Sequence, residues 1–382
     1  MRRSLSRTAR TQKSLMSKIQ DMNWALVIVL CAIAAGGFVM LYSVAGGSVD
    51  PWAKRQMIRF LPALGLMLVI ALIDVRVWLF LAYPIYALAL ALLIAVEFTG
   101  VSGMGAQRWI DLGVMQLQPS EVMKIAVVLA LARYYHTSTL IEARLLKNLF
   151  MPLLLLAIPS YFVLRQPDLG TTLLIIFGGL AVMFAAGVRM WIFGAGLAAV
   201  LAAVPVVWQL LRPYQKSRVL TFLDPERDPL GAGYHIMQSK IALGSGGVFG
   251  KGFMQGTQSQ LNFLPEKQTD FIFTMLAEEF GLIGALTLLG LYMVVLSYGV
   301  LMSFSVRSQF GRLLSLGVTT TLFLYVFINT AMVMGLLPVV GVPLPLMSYG
   351  GSAMMTFMVG MGLILSVALH RDIRIPRGGA FA

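Results

Sequence analysis

The sequence predicts an all-α, polytopic membrane protein with about ten transmembrane helices. Three observations predict it. Of 382 residues, 58% are hydrophobic and only 12% charged, where a soluble domain carries about 25% charge. Mean hydropathy is +0.83. Apolar runs near the roughly 20 residues needed to cross a bilayer recur along the chain, with basic residues sorted to alternate connections.

The chain opens on a basic tail, 1–23, with Arg2, Arg3, Arg7, Arg10, Lys13 and Lys18. It lacks the apolar core of a cleavable signal. Span one, 24–44, holds the lone cysteine, Cys31. An intrachain disulfide and a cysteine zinc site are thereby excluded. Spans 57–73 and 77–98 flank Arg76, and an outer loop, 99–120, leads into span 121–135. Arg144 and Lys147 precede span 148–164, and the brief loop 165–170 precedes span 171–187. Arg189 separates that span from 190–211. The largest loop, 212–270, follows between spans seven and eight. Spans 271–301 and 311–336 flank Arg307 and Arg312; loop 337–351, span 352–369 and a basic tail, 370–382, complete the chain. Residues 24–369 thus read as one transmembrane domain between two tails.

The net charge of +13 is topological and needs no nucleic-acid partner. Sixteen of the 29 Lys and Arg residues fall on one side, mostly in short segments, which sets that side as cytoplasmic. Both termini are expected inside. The long loop carries seven more with five acids, and long loops cross largely regardless of charge. Trp24, Trp52, Trp78, Trp191 and Trp208 lie near span ends, as an aromatic belt requires. The three histidines, His136, His235 and His370, are too scattered for a metal cluster.

The outer side carries the chemistry. Phe263–Phe273 closes the long polar loop and opens an apolar span, with Asp270 at the junction. A carboxylate there is costly and marks a functional site by default. Glu121 and Lys124, three residues apart, share a helix face. They are either a structural pair or two groups facing the Asp270 cavity. Glu278 lies roughly 12 Å below Asp270, within about 80° of its face, with Glu279 on the opposite side. Asp168 after Pro167 reads first as a helix-start carboxylate serving orphan amides. Arg108 beside Trp109 suits a sugar or phosphate, or an interface anchor.

Within the large loop, 234–243 reads as a short amphipathic helix on the membrane. The run Gly244–Gly252 fails the P-loop pattern at Ser245 and Gly252, and the dinucleotide pattern at Phe249. It is either a flexible turn or a backbone nest for a pyrophosphate. Loop 337–351 has no charge, three prolines and three glycines. Such backbone cannot face lipid unpaired, so it is expected to dip in and line a cavity.

The motifs Gly105-Ala-Gln-Arg-Trp109, Gln118-Pro-Ser-Glu-Val-Met-Lys124, Gln166-Pro-Asp-Leu-Gly-Thr171, Gly231–Ala242 and Phe263–Phe273, in this order, resemble the SEDS family (shape, elongation, division and sporulation). Leu337–Ser352 resembles its elongation branch rather than its division branch. The resemblance implies a peptidoglycan glycosyltransferase polymerising lipid II in the bacterial inner membrane, with its site facing outside. It places the essential carboxylate on Asp270 and the Glu/Lys pair on Glu121 and Lys124. Arg108, Asp168, Arg218, Lys240, Glu278 and Ser348 are further substrate-binding candidates. Lys124, Arg218 and Lys240 would face the leaving pyrophosphate. A divalent cation, Mg2+ or Mn2+, is expected with Asp270 and Glu121 as ligands. The family commonly has His where this chain has Gln268. The implied partners are a class B penicillin-binding protein and other membrane proteins of the elongation machinery. Two rival readings are a lipid II flippase and a non-catalytic scaffold. Polar residues concentrate at the outer mouth rather than through the span, which favours chemistry over transport.

Overall fold

The structure is a computed structural model. It describes residues 14–103, 106–111, 113, 116–210, 216, 220, 221, 224, 232–261, 263, 264 and 266–377. Among the described residues seven long helices precede the long loop: α1 (Trp24–Val44), α2 (Trp52–Leu72), α3 (Val75–Thr99), α4 (Pro119–Thr137), α5 (Phe150–Arg165), α6 (Leu169–Ala185) and α7 (Met190–Leu210). The loop contains α8 (Ala232–Ser245), and α9 (Ile272–Ser305), α10 (Gln309–Val333) and α11 (Gly351–Leu369) follow. Each of the ten expected spans falls on one of these helices. Among the described residues seven helical stretches are long and apolar enough to cross a membrane, and those beginning at Leu169 and Met190 are shorter but apolar. The chain is a polytopic, helical membrane protein.

Helix α4 is the centre of the bundle. Almost every residue from Pro119 to Ala132 is buried, on all faces. It packs against α3, α5, α6, α10 and α11. A helix apolar all round belongs inside a bundle, and this one carries its charges inward with it. Small residues bring other helices close. A Cβ on Gly362 of α11 would stand 2.8 Å from the Met67 carbonyl of α2, the close approach typical of membrane helix pairs.

Four features depart from the expected layout. Helix α2 starts at Trp52, ahead of the expected 57, because it continues through the charged Lys54 and Arg55 above the apolar run. The outer loop 99–120 holds a small antiparallel sheet, β1 (Val101–Gly103), β2 (Ala106–Asp111) and β3 (Gln116–Leu117), in that order. The amphipathic segment forms α8, which packs against α9 through buried Ile236, Ser239 and Ala242 rather than only resting on a lipid surface. Its Ser239 hydroxyl lies 2.9 Å from Thr274 Oγ1 and donates to the Val333 carbonyl.

The fourth departure is in α9. Gly281 has φ +65°, so the expected single span is two helical pieces. A break exposes carbonyls above it and N–H groups below it. The segment 246–252 satisfies both. Lys251 and Gly252 N–H donate to the Glu278 and Glu279 carbonyls, and Leu282 and Ile283 N–H donate to Gly247 and Val248. Gly246 and Gly250 press so closely on α9 backbone that a Cβ would overlap the Ala277 and Glu279 carbonyls. The glycine run is therefore a packed plug, the Lys251 and Gly252 amides spent on α9 and those of Gly246 and Gly250 on Ala242 and Gly246, rather than a flexible turn or an anion nest.

Loop 337–350 enters the bundle, as its composition requires. Val342, Leu344, Leu346 and Met347 are buried. A side chain at Gly37 would overlap the Leu346 carbonyl, and Gly37 lies about 10 Å inside the outer end of α1. The loop's backbone is paired by side chains: Tyr292 donates to the Pro345 carbonyl, Gln56 to Ser348, and Asn329 to Val342.

Candidate active site

Asp270 sits in a short turn just before α9. Three residues of two elements, α10 and loop 337–350, hold that turn by its backbone. Asn329 of α10 donates from Nδ2 to the Asp270 carbonyl at 2.9 Å and to the Val342 carbonyl at 2.7 Å. Ser348 Oγ donates to the Thr269 carbonyl at 2.6 Å while accepting from Leu344 N–H. Tyr349 N–H donates to the Gln268 carbonyl at 2.8 Å. On the turn itself, the Glu266 carboxylate accepts from Thr269 Oγ1 at 3.1 Å and from Gln268 Nε2 at 3.4 Å.

The backbone is pinned, but the Asp270 carboxylate is not: among the described residues nothing donates to it. A Cβ on Gly341, a left-handed residue with φ +70°, would stand 3.6 Å from Asp270 Oδ2. Glycine keeps that approach open. Asp270 retains part of its surface to solvent, yet the protein around it is dense enough to penalise its charge. Desolvation first, then repulsion from Glu266 and Asp168, push its pKa up to about 7. A carboxylate so poised can take a proton near neutral pH.

Asp168 borders the same mouth. It N-caps α6, accepting from Thr171 N–H at 3.0 Å and Thr171 Oγ1 at 2.9 Å, as its place before the helix predicts. Gln118 Nε2 donates to Oδ2, which also accepts from Thr171 Oγ1, at 3.2 Å, and Arg108 Nη1 lies 3.9 Å from the same oxygen. Arg108 rises from β2 and donates to the Gln166 and Pro167 carbonyls at 2.8 and 2.7 Å. The sheet thus clamps the guanidinium over the α5–α6 junction with part of it exposed.

The other candidates fall elsewhere. Glu121 and Lys124 form a closed, buried triad with Tyr325 of α10. The Lys124 ammonium lies 2.6 Å from Glu121 Oε1 and also donates to the Tyr325 hydroxyl, which donates to Glu121 Oε2 at 2.7 Å. Both residues are under 4% exposed. Each Glu121 oxygen is committed, so its reading as a metal ligand, and the pair's as substrate contacts, are corrected: desolvated opposite charges satisfied each other instead. Glu278 points away from Asp270, accepting from Lys251 at 2.6 Å, Thr257 at 2.9 Å and Gln258 N–H at 3.2 Å. It anchors the glycine plug, because the break at Gly281 opens that side of the helix to the loop. Ser348 is buried and spends its hydroxyl on the turn and its own loop. Lys240 is on an exposed face of α8 against Gly335, beyond the C-terminal end of α10, where a cation is favoured. It makes no ion pair with the Asp270 turn. Arg218 lies outside the described residues.

Sequence reasoning missed Asn329, Tyr325 and Glu266. A lone buried amide in an apolar span was a signal for Asn329. Nothing local in the sequence marked Tyr325 as the third member of the Glu–Lys pair. Among the described residues no three Asp, Glu, His or Cys side chains gather as a metal site.

The model of the FtsW/RodA/SpoVE family, described as cell cycle proteins, matches residues 23–373. The chain belongs to this family. The peptidoglycan glycosyltransferase MrdB of Escherichia coli K12 is 44% identical over 349 residues, covering 91% of this chain and 94% of that protein. MrdB of Helicobacter pylori is 37% identical, covering 78% and 77%. Among solved structures, RodA of Thermus thermophilus superposes with a TM-score of 0.68 at 30% identity, covering 92% and 98%. A chain from a peptidoglycan synthase complex, described as coordinating polymerization and crosslinking, reaches 0.80 at 35% identity, covering 92% and 98%. In this FtsW/RodA/SpoVE member, the Asp270 turn is held by α10 and loop 337–350, and the Glu121–Lys124–Tyr325 triad is buried within the bundle.

Proposed function

We infer that the chain is a peptidoglycan glycosyltransferase that polymerises lipid II into β-1,4 glycan during cell elongation. The observation that carries the site assignment is the Asp270 carboxylate: unpartnered, raised to about 7, and held rigidly at the mouth of a membrane helix. In this reading Asp270 accepts the proton of the acceptor sugar's 4-hydroxyl. That oxygen attacks the anomeric carbon of the donor as the bond to undecaprenyl pyrophosphate breaks, so an α-linked donor gives a β-linked product by inversion.

Lys124 is withdrawn from the leaving-group role by its burial with Glu121 and Tyr325. The partly exposed Arg108 is the cation best placed at the mouth. A divalent cation fits this site only as an ion held chiefly by the substrate's own pyrophosphate, with Asp270 or Asp168 supplying one or two oxygens; Mg2+ is typically bound this way. When bound it would neutralise charge on the departing diphosphate.

The charge sorting of the loops supports cytoplasmic termini in the bacterial inner membrane and an outward-facing Asp270. The likeness to a chain of a polymerising and crosslinking complex supports a crosslinking partner, a class B penicillin-binding protein. The test is polymerisation of labelled lipid II by the purified full chain with that partner, with and without chelator, comparing native protein with Asp270→Ala. Long glycan from the native protein and none from a folded variant is expected. Equal polymer from both would remove Asp270 from the chemistry.

A further inference from the structure

Beside the Asp270 turn, whose Lys267 lines one of them, the seam between α1 and α9 holds two recesses. The upper is a pocket of about 450 Å³ at the outer ends of α1 and α2, lined by Ser43, Trp52, Met254, Gln260, Lys267 and Glu279. The lower is an apolar groove of about 490 Å³, lined by residues such as Ala32, Met40, Phe249, Phe280, Thr287 and Met347. Each volume lies in the range of about 300–1,000 Å³ found for small-molecule sites.

The two recesses are neighbours along the seam. Met40 of the groove and Ser43 of the pocket are one helical turn apart on α1, about 4.5 Å of rise. Phe280 of the groove follows Glu279 of the pocket directly on α9. At the junction Glu279 is only 1% exposed, accepting from the Ser43 hydroxyl and from Met254 N–H at 3.2 Å. A buried carboxylate lining a pocket is a costly feature for a passive lipid-facing seam. Lys267 places a cation at the pocket wall. It is three residues from Asp270, no more than about 11 Å along the chain. The indole of Trp52 and the amide of Gln260 add the apolar face and hydrogen-bonding group that a sugar ring needs. Below, Ala32 and Thr287 are exposed, and Phe249 at the groove is 80% exposed.

A ligand spanning both recesses has a polar, sugar-sized head and a long apolar tail, its negative charge held by Lys267 in the pocket. We propose that the α1–α9 seam is the binding site for one of the two polyprenyl-linked saccharides the reaction joins, its tail in the groove and its sugar in the Trp52–Lys267 pocket. This rests on the glycosyltransferase reading, since a reaction between two lipid-linked sugars needs two lipid-binding places around Asp270. The Arg108–Asp168 side supplies one and the seam the other.

The experiment places a diazirine amino acid at Ala32 or Thr287, with Leu201 of α7 as a lipid-facing control. The full chain carries Asp270→Ala and is reconstituted in phospholipid vesicles containing lipid II, with and without the penicillin-binding partner. The expected result is a lipid II adduct at both groove positions, about tenfold above the control, or 1.4 kcal/mol of preference. In otherwise native protein, Ala32→Trp and Thr287→Trp, which fill the groove without touching its buried wall, are expected to raise KM for lipid II about tenfold with kcat little changed. Adducts of phospholipid alone, with unchanged KM, would overturn the proposal. Crosslinks to the partner's transmembrane helix instead of lipid II would also overturn it and make the groove a protein interface. Because crosslinking is read in an inactive variant, failure of polymerisation by native protein would count against the enzyme reading and leave the adducts to decide the seam.

Discussion

At the scale of single residues, Asp270 is defined by what its neighbours withhold. Backbone contacts fix it, while its carboxylate receives no donor and is repelled by Glu266 and Asp168. Asp270→Asn is expected to lower kcat by about 10²–10⁴-fold, the usual weight of a general base. In the native protein kcat/KM is expected to rise with pH through about 7, as the carboxylate loses its proton. Stability carries the opposite sign. A carboxyl whose folded pKa lies above its unfolded one keeps its proton longer in the folded state, so folding weakens as pH rises between about 3.8 and 7. Asp270→Asn is therefore expected to raise Tm at pH 8, with the gain vanishing toward pH 4. Calorimetry of the purified protein at both pH values checks this, and a pH-independent difference would contradict it. Lys124 makes a different case. Lys124→Ala strands Glu121 as an uncompensated buried charge and is expected to cost about 3–5 kcal/mol. Replacing both, with Glu121→Gln and Lys124→Met, should recover most of that loss in a denaturation assay. Recovery of polymerisation with it would confirm that the pair acts through the fold alone.

At the scale of elements, the decisive feature is the break in α9. Composition alone reads 271–301 as an uninterrupted span, since Gly281 sits among apolar residues. The left-handed Gly281 and the plug at 246–252 share one ladder of four backbone bonds. Gly250→Val would require an L side chain at φ +82° and in the space of the Glu279 carbonyl. It is expected to lower Tm by several degrees and shorten the time to proteolysis of the outer loop. A variant as stable as the native protein would show that the plug does not brace the helix. Loop 337–350 shows the reverse. Its prolines, glycines and missing charges announced a dip into the bundle, because lipid offers no partner for open backbone.

At the scale of the whole molecule, the bundle is built around a buried centre, α4, packed by α3, α5, α6, α10 and α11, and it gathers the outer connections over one end. Topology is testable with the lone Cys31 replaced by alanine. A membrane-impermeant thiol reagent is expected to label Asp111→Cys from outside intact cells, and to label Ser14→Cys only after the cells are opened. The reverse pattern would invert the protein and place Asp270 on the inner side.

The amino-acid sequence determined the membrane class, the ten spans, their orientation as an expectation, and Asp270 and Asp168 as residues out of place for lipid. These are readable because bilayer thickness, loop charge and desolvation cost act on local composition. The tertiary structure decided which charges are available. Glu121, Lys124, Glu278 and Ser348 look equally open in one dimension, yet Tyr325, Lys251 and Thr269, from distant parts of the chain, occupy them. It also assigned Asn329 to the Asp270 turn and the glycine run to the α9 break. A hydrogen bond between residues tens or hundreds apart leaves no periodicity in the sequence. Only the packing that buries both partners fixes which polar groups are spent on the fold and which remain for chemistry.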